Sequence, residues 1–164
     1  MKSILLTLFI ITLFIHGSAQ TKDSINWLTF EQLGDSLETK PKRVLLFFHT
    51  DWCGYCRKMV NDVFSSPQVI ESINNDYYAV SFDAESTESV FFDGQLIRNK
   101  ASNKTRGQYH DIALLLAHRQ GQLVFPTLLL LDETFTIQKR YFNYMGPNKI
   151  IQALKYWFLN ENSP

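Results

Sequence analysis

The sequence predicts an α/β domain with one mixed central sheet and helices on both faces. Three observations carry that reading. Two strand-length apolar runs, residues 43–49 and 77–83, are separated by helical patterns. Two further strand patterns, 123–132 and 134–141, follow each other across a short turn, and helical spacing recurs before the first strand, between the first three and after the last. Strands that alternate with helices pair in parallel, whereas adjacent strands form a hairpin, so a single sheet must contain both kinds of ladder.

Each element has its own local reason. Thr29-Phe30-Glu31-Gln32 has the form of a capping box, and Phe30, Leu33 and Leu37 recur at helical spacing until Pro41 ends the segment. RVLLFFH, residues 43–49, is apolar on both faces and reads as a buried central strand. From Cys53 onward Met59, Val60, Val63 and Phe64 fit a helix, and Ser66-Pro67 offers an N-cap and first helical residue for another through Ile73. YYAVSFD, residues 77–83, is the next strand. The segment 85–109 has no sustained period and carries Arg98, Lys100, Lys104 and Arg106, which reads as a solvated loop. Helical spacing returns over Asp111–Arg119 through Ile112, Leu115 and Leu116, with Gly121 able to close that helix. LVFPTLLLLD, 123–132, is a strand with a proline near its start, and 134–141 is its hairpin partner. Pro147 opens a final helix with Ile150, Ile151, Leu154, Trp157 and Phe158 on its apolar face.

Composition and charge bound the setting. The chain opens MKSILLTLFIITLFIHGSAQ: Lys2, an apolar run broken only by threonines, then small residues ending at Ala19. This reads as a signal peptide over residues 1–19, leaving one domain over 20–164 in an exported, periplasmic or secreted setting. The apolar run is shorter than the roughly 20 residues of a spanning helix, so no membrane association is expected after cleavage. Lys+Arg and Asp+Glu each number 16, which offers no electrostatic case for nucleic acid.

Both cysteines, Cys53 and Cys56, lie in HTDWCGYCRKM, residues 49–59. A bridge across so small a loop removes little unfolded-state entropy, so the pair reads as chemical more than structural. After a strand and a short turn, Cys53 falls at a helix N-terminus, where unpaired N–H groups stabilise a thiolate. Cys56 follows one turn later on the same face. Cys53 is therefore expected to be the accessible, attacking thiol and Cys56 the buried, resolving one. Two other readings stay open: a binding or chaperone module with an incidental dithiol, and a metal carrier using Cys53, Cys56 and His49. A structural zinc site normally needs four ligands, and His110 and His118 are too far apart for one ion if both lie on one helix. The site is accordingly expected to hold no metal.

DWCGYCRKM, followed by a helix, an Asp-ended strand and, much later, FPT opening another strand, resembles the thioredoxin fold and its thiol-disulfide oxidoreductases over roughly residues 40–160. The resemblance implies a thioredoxin-like sheet, catalytic Cys53 and Cys56, a cis Pro126 facing the dithiol, and substrate contacts from Trp52, Gly54, Tyr55, Phe125, Pro126 and Thr127. No nucleotide or flavin motif is present, so no bound cofactor is expected, and electrons are expected to pass between a protein disulfide or dithiol substrate and an upstream redox partner; a monomer is expected. Three departures stand out. Phe47 occupies the position where thioredoxins usually carry a buried aspartate, and Ala79 that of its frequent lysine partner. Proton transfer at Cys56 then falls to water, Glu85 or another group. Gly54-Tyr55 matches the dipeptide of bacterial periplasmic disulfide isomerases, yet the chain has no room for their dimerisation domain. The segment 85–109 is a further insertion, as in small exported thioredoxin-like proteins of bacteria. The apolar Phe47 and Ala79 and the acidic Asp51 favour a couple poised for reduction or isomerisation over strong oxidation.

Overall fold

The computed structural model describes residues 24–92, 94–101 and 103–160. The leader expected over residues 1–19, and the side chains of Trp157 and Phe158, lie outside the described residues. Among the described residues no helix is long and apolar enough to cross a membrane.

The central sheet has five strands in the order β1 (Trp27–Leu28), β3 (Tyr77–Asp83), β2 (Arg43–His49), β8 (Thr127–Leu131) and β9 (Ile137–Tyr141). The ladder from β2 to β3 is parallel, from Arg43↔Tyr77 to His49↔Asp83, and that from β2 to β8 is antiparallel, from Val44↔Leu131 to Phe48↔Thr127. The sheet is mixed, as the alternation and the terminal hairpin require. β2 is paired on both sides, so its backbone is satisfied without water and both side-chain faces are free to be apolar.

Period-two alternation sorts β2 between two cores. Leu45 and Phe47 join Val69, Ile70 and Ile73 of α3 (Pro67–Asp76) and Ile150 and Leu154 of α5 (Pro147–Asn160). Val44, Leu46 and Phe48 join Phe30 and Leu33 of α1 (Phe30–Thr39) and Ile112 and Ala113 of α4 (Asp111–Leu116). Helices thus cover both faces. Full burial of each of the Val, Leu, Ile and Phe side chains contributes about 1.5–3 kcal/mol. At the start of α1 the capping box is complete, with the Gln32 N–H donating to Thr29 Oγ1 at 3.2 Å and the Thr29 N–H to Gln32 Oε1 at 2.9 Å.

Several boundaries differ from the sequence expectation. β1 was not expected, because its two residues carry no period of their own and become a strand only by pairing with Ala79 and Val80. α4 ends at Leu116, with Leu115 exposed, and His118–Arg119 (β6) instead pair with Gln122–Leu123 (β7). Gln120 and Gly121, with φ of 51° and 79°, turn that hairpin, so Gly121 does not close the helix. The run 123–132 is two pieces, since Pro126 has no N–H for a ladder; the Phe125–Pro126 bond is cis, as expected. β9 starts at Ile137 because Asp132 Oδ1 accepts the N–H groups of Thr134 and Thr136, both at 2.9 Å, and holds those residues in a turn. In the segment after Cys53, α2 (Gly54–Lys58) passes into a π-helical turn over Met59–Val63 that buries Met59 and Val63 and leaves Val60 exposed.

The 85–109 segment is not a plain solvated loop. β4 (Val90–Phe92) and β5 (Gln95–Ile97) form a hairpin that rests on α1. Val90 is buried, Phe92 meets Phe30 edge-to-face at 5.5 Å, and Glu31 accepts the Phe91 N–H at 2.8 Å. Its far end is tied by His110, which is fully buried and caps α4. The Ile112 N–H donates to His110 Nδ1 at 3.1 Å, which leaves the proton on Nε2 to donate to the Glu88 carbonyl at 3.0 Å.

This arrangement needs a neutral imidazole, and burial pushes the His110 pKa down from its ordinary 6.5; burial does the same to His49. The unfolded chain therefore binds more protons than the native one as the medium is acidified. Stability is complete above about pH 6.5 and falls as pH drops through the lower folded values. Urea midpoints measured from pH 8 to pH 5 should decline below that point. A His110→Asn variant, which keeps a capping acceptor that does not titrate, should flatten the decline.

Candidate functional site

At the C-terminal end of β2 the chain turns through Thr50-Asp51-Trp52 and enters α2 with Cys53 as its N-cap. The two cysteines form a disulfide, with Cα atoms 5.2 Å apart. The Cys56 N–H donates to Cys53 Sγ at 3.1 Å, so a backbone donor of the first helical turn already points at the sulfur where negative charge would develop. Cys53 and Cys56 are 5% and 2% exposed, the former being the more open. The expected contrast between an accessible and a buried cysteine is therefore small in this oxidised form, where both cysteines belong to the core that holds Phe47, Met59, Leu128 and Met145.

Aromatic side chains border the bridge. Trp52 is 40% exposed and stands edge-on to Phe125 at 6.2 Å; Phe125 in turn lies 5.5 Å from Tyr109. Tyr55, in the first turn of α2, is 66% exposed and faces Tyr144 at 6.3 Å. Pro126 and Thr127 are buried, and the Thr127 hydroxyl donates to the Val124 carbonyl at 2.5 Å. Gly54 is open, with only Arg57 near where a Cβ would stand. The two positions where the resemblance leads one to expect a buried acid and its lysine, Phe47 and Ala79, are both enclosed in the core below the bridge.

The insertion reaches this site by a polar route invisible in the sequence. Glu85 is 2% exposed, and its Oε1 accepts the Trp52 indole N–H at 3.0 Å and the Gly107 N–H at 2.6 Å. Gly107 has φ +82°, a conformation that side chains disfavour, and its backbone is thereby presented to the carboxylate. The Lys104 ammonium bridges Asp51 at 2.5 Å and Asp83. Its hydrogen bond holds the Asp51 carboxyl below its usual range, while donating to Asp51 and Asp83 pushes the lysine up. Asp51 therefore does not stand as a free negative charge beside Cys53. Arg57 donates to the Asp51 carbonyl at 2.5 Å, and Lys58 pairs with Asp62 at 2.6 Å and lies 5.6 Å from the Tyr144 ring.

A family model described as a thioredoxin-like domain matches residues 30–158. The chain belongs to that family. Among solved structures it is similar to DsbH oxidoreductase, at 16% identity and a TM-score of 0.58, covering 87% of this chain and 90% of that one. It is also similar to a thioredoxin from Thermus thermophilus, at 16% identity and a TM-score of 0.59, with 85% and 91% covered. A thioredoxin-fold protein from Helicobacter pylori aligns at 16% identity and a TM-score of 0.56, with 88% and 81% covered. No curated protein matches the sequence. At these identities the likeness establishes the thioredoxin-like fold, the mixed sheet with helices, and nothing about substrates.

Within this family frame the structure brings Cys53, Cys56, Trp52, Gly54, Tyr55, Phe125, Pro126 and Thr127 to one end of the sheet. Lys104, Arg106, Tyr109 and Tyr144 were not singled out as site residues by sequence; only the basic cluster of the insertion hinted at the first two. Among the described residues no cluster of three or more His, Cys, Asp or Glu is arranged to hold a metal ion.

Glu85 should act as the keystone between the insertion and the dithiol turn. Glu85→Ala removes one oxygen that serves two N–H donors, and a loss of about 1–3 kcal/mol is expected. Glu85→Gln keeps a carbonyl oxygen in that place and should cost clearly less. Chemical denaturation of both variants beside the parent checks this; equal losses would show that the negative charge matters and the acceptor geometry does not.

Proposed function

We propose that the protein is an exported thiol-disulfide oxidoreductase that exchanges its Cys53–Cys56 couple with protein clients. One observation carries the reading: two cysteines joined at the start of a helix, with the Cys56 N–H aimed at Cys53 Sγ. In the reduced protein the Cys53 thiolate attacks one sulfur of a client disulfide. A Cys53–client bond forms, the client S–S bond breaks, and the released client thiolate takes a proton from solvent. The Cys56 thiolate then attacks Cys53 Sγ, which closes the internal disulfide and frees the second client thiol. Two electrons pass to the client, and an upstream dithiol must return them.

Trp52, Gly54, Tyr55, Phe125, Pro126 and Thr127 form the client surface in this reading, and Phe125 offers its backbone to an extended client chain. The protein acts as a monomer after loss of residues 1–19 and uses no cofactor. The enclosed Phe47 and Ala79 disfavour a stabilised thiolate, which supports a reducing or isomerising poise. Equilibration of the full mature chain with glutathione buffers tests both parts. A reversible two-electron couple at about −200 mV or below is expected, and a value near about −120 mV would overturn the direction. Failure of the reduced protein to open any protein disulfide would overturn the activity itself.

A further inference from the structure

Arg106 is exposed, and its guanidinium lies over the Trp52 ring, 4.5 Å from the centroid. A guanidinium on an indole face is held by the ring quadrupole while its N–H donors remain free at the edge of the plane. Of the neighbouring acids, Asp51 and Asp83 are paired with the Lys104 cation, whereas Glu85 accepts the neutral N–H donors of Trp52 and Gly107 and keeps its charge beneath the Trp52 edge. Among the described residues no carboxylate forms an ion pair with Arg106. Its support is tied on both sides: the N–H of Gly107, the next residue, donates to Glu85, and Trp52 donates to Glu85 and stands edge-on to Phe125.

Trp52 immediately precedes Cys53, so a client segment laid over the bridge on the Trp52 side passes beside this cation. Lys104 serves the opposite purpose, since both of its acidic partners belong to the protein. The insertion therefore spends one cation on its own attachment and presents the other outward. We infer that Arg106 is a specificity residue that favours clients carrying a carboxylate close to the reacting cysteine. The inference rests on the oxidoreductase reading and adds a substrate class to it.

The test uses the reduced full mature chain and three disulfide-linked homodimeric peptides, identical except for Glu, Ser or Lys on either side of the cysteine. Second-order rate constants for peptide reduction are measured at low salt and at 0.5 M salt. For an exposed ion pair the Glu peptide should react about three-fold faster than the Ser peptide, and the Lys peptide slower, with the differences collapsing at high salt. Arg106→Ala should bring the three rates together, Arg106→Glu should invert their order, and Arg106→Lys should retain part of it. Retention of the Glu preference in a folded Arg106→Ala protein, or equal rates for all three peptides with the parent, would overturn the inference while leaving the activity standing. Reduction of none of the peptides by the parent would overturn the oxidoreductase reading, and the inference would fall with it. Should Arg106→Ala unfold, the Arg106→Lys and Arg106→Glu pair decides by the order of its rates.

Discussion

Cys53→Ser is expected to abolish exchange with client disulfides, by at least about a thousand-fold, because a serine hydroxyl at neutral pH is far weaker as a nucleophile than a thiolate and forms no disulfide. The structure sets the asymmetry between the two positions. Cys53 is the N-cap, receives the Cys56 N–H at 3.1 Å and directly follows the exposed Trp52, whereas Cys56 lies within the first turn of the helix and is the less exposed of the two, at 2% against 5%. Cys56→Ser should therefore permit attack but not resolution, and covalent client adducts should accumulate on Cys53. Mass spectrometry of the two variants after incubation with an oxidised protein client reads both outcomes. Adducts on Cys53→Ser and none on Cys56→Ser would reverse the assignment of attacking and resolving thiols.

Phe47→Ala should produce the largest loss of stability of the changes considered, about 3–5 kcal/mol. The ring is fully enclosed and contacts Phe64 at 4.9 Å, His49 at 5.3 Å and Trp27 at 6.4 Å, which ties the central strand to the turn after the π-helical segment and to the edge strand β1. Removing it would leave a cavity beneath the bridge that rigid β2 and its two partners cannot close. Urea unfolding should show a lower midpoint with an unchanged slope. A loss below about 1 kcal/mol would mean that neighbouring side chains refill the space. Phe47→Asp, which supplies the acid usual in thioredoxins, should be no milder, because the neighbouring Ala79 provides no cation and the carboxylate would be buried unpaired.

The sequence by itself determined the elements whose signals are local. RVLLFFH could only be a strand enclosed on both faces, Thr29 and Gln32 could cap only the helix that follows them, and two cysteines one turn apart after a strand could meet whatever the rest of the chain did. Their geometry depends on near neighbours along the backbone. The tertiary structure decided everything that depended on distant partners. Trp27 and Leu28 are a strand only because Ala79 and Val80 lie beside them, and the hairpin within 85–109 exists because Phe92 finds Phe30 across the fold. Gly121 shows the limit plainly: a positive φ suits a helix end and a hairpin turn equally, and pairing of His118 with Leu123 chose the second. The surroundings of the dithiol were chosen in the same way. Glu85, Lys104 and Arg106 reach Trp52 and Asp51 across 33 to 54 residues of chain, and a buried carboxylate or a bridging ammonium is specified by where its partners stand in space, which no local pattern of residues encodes.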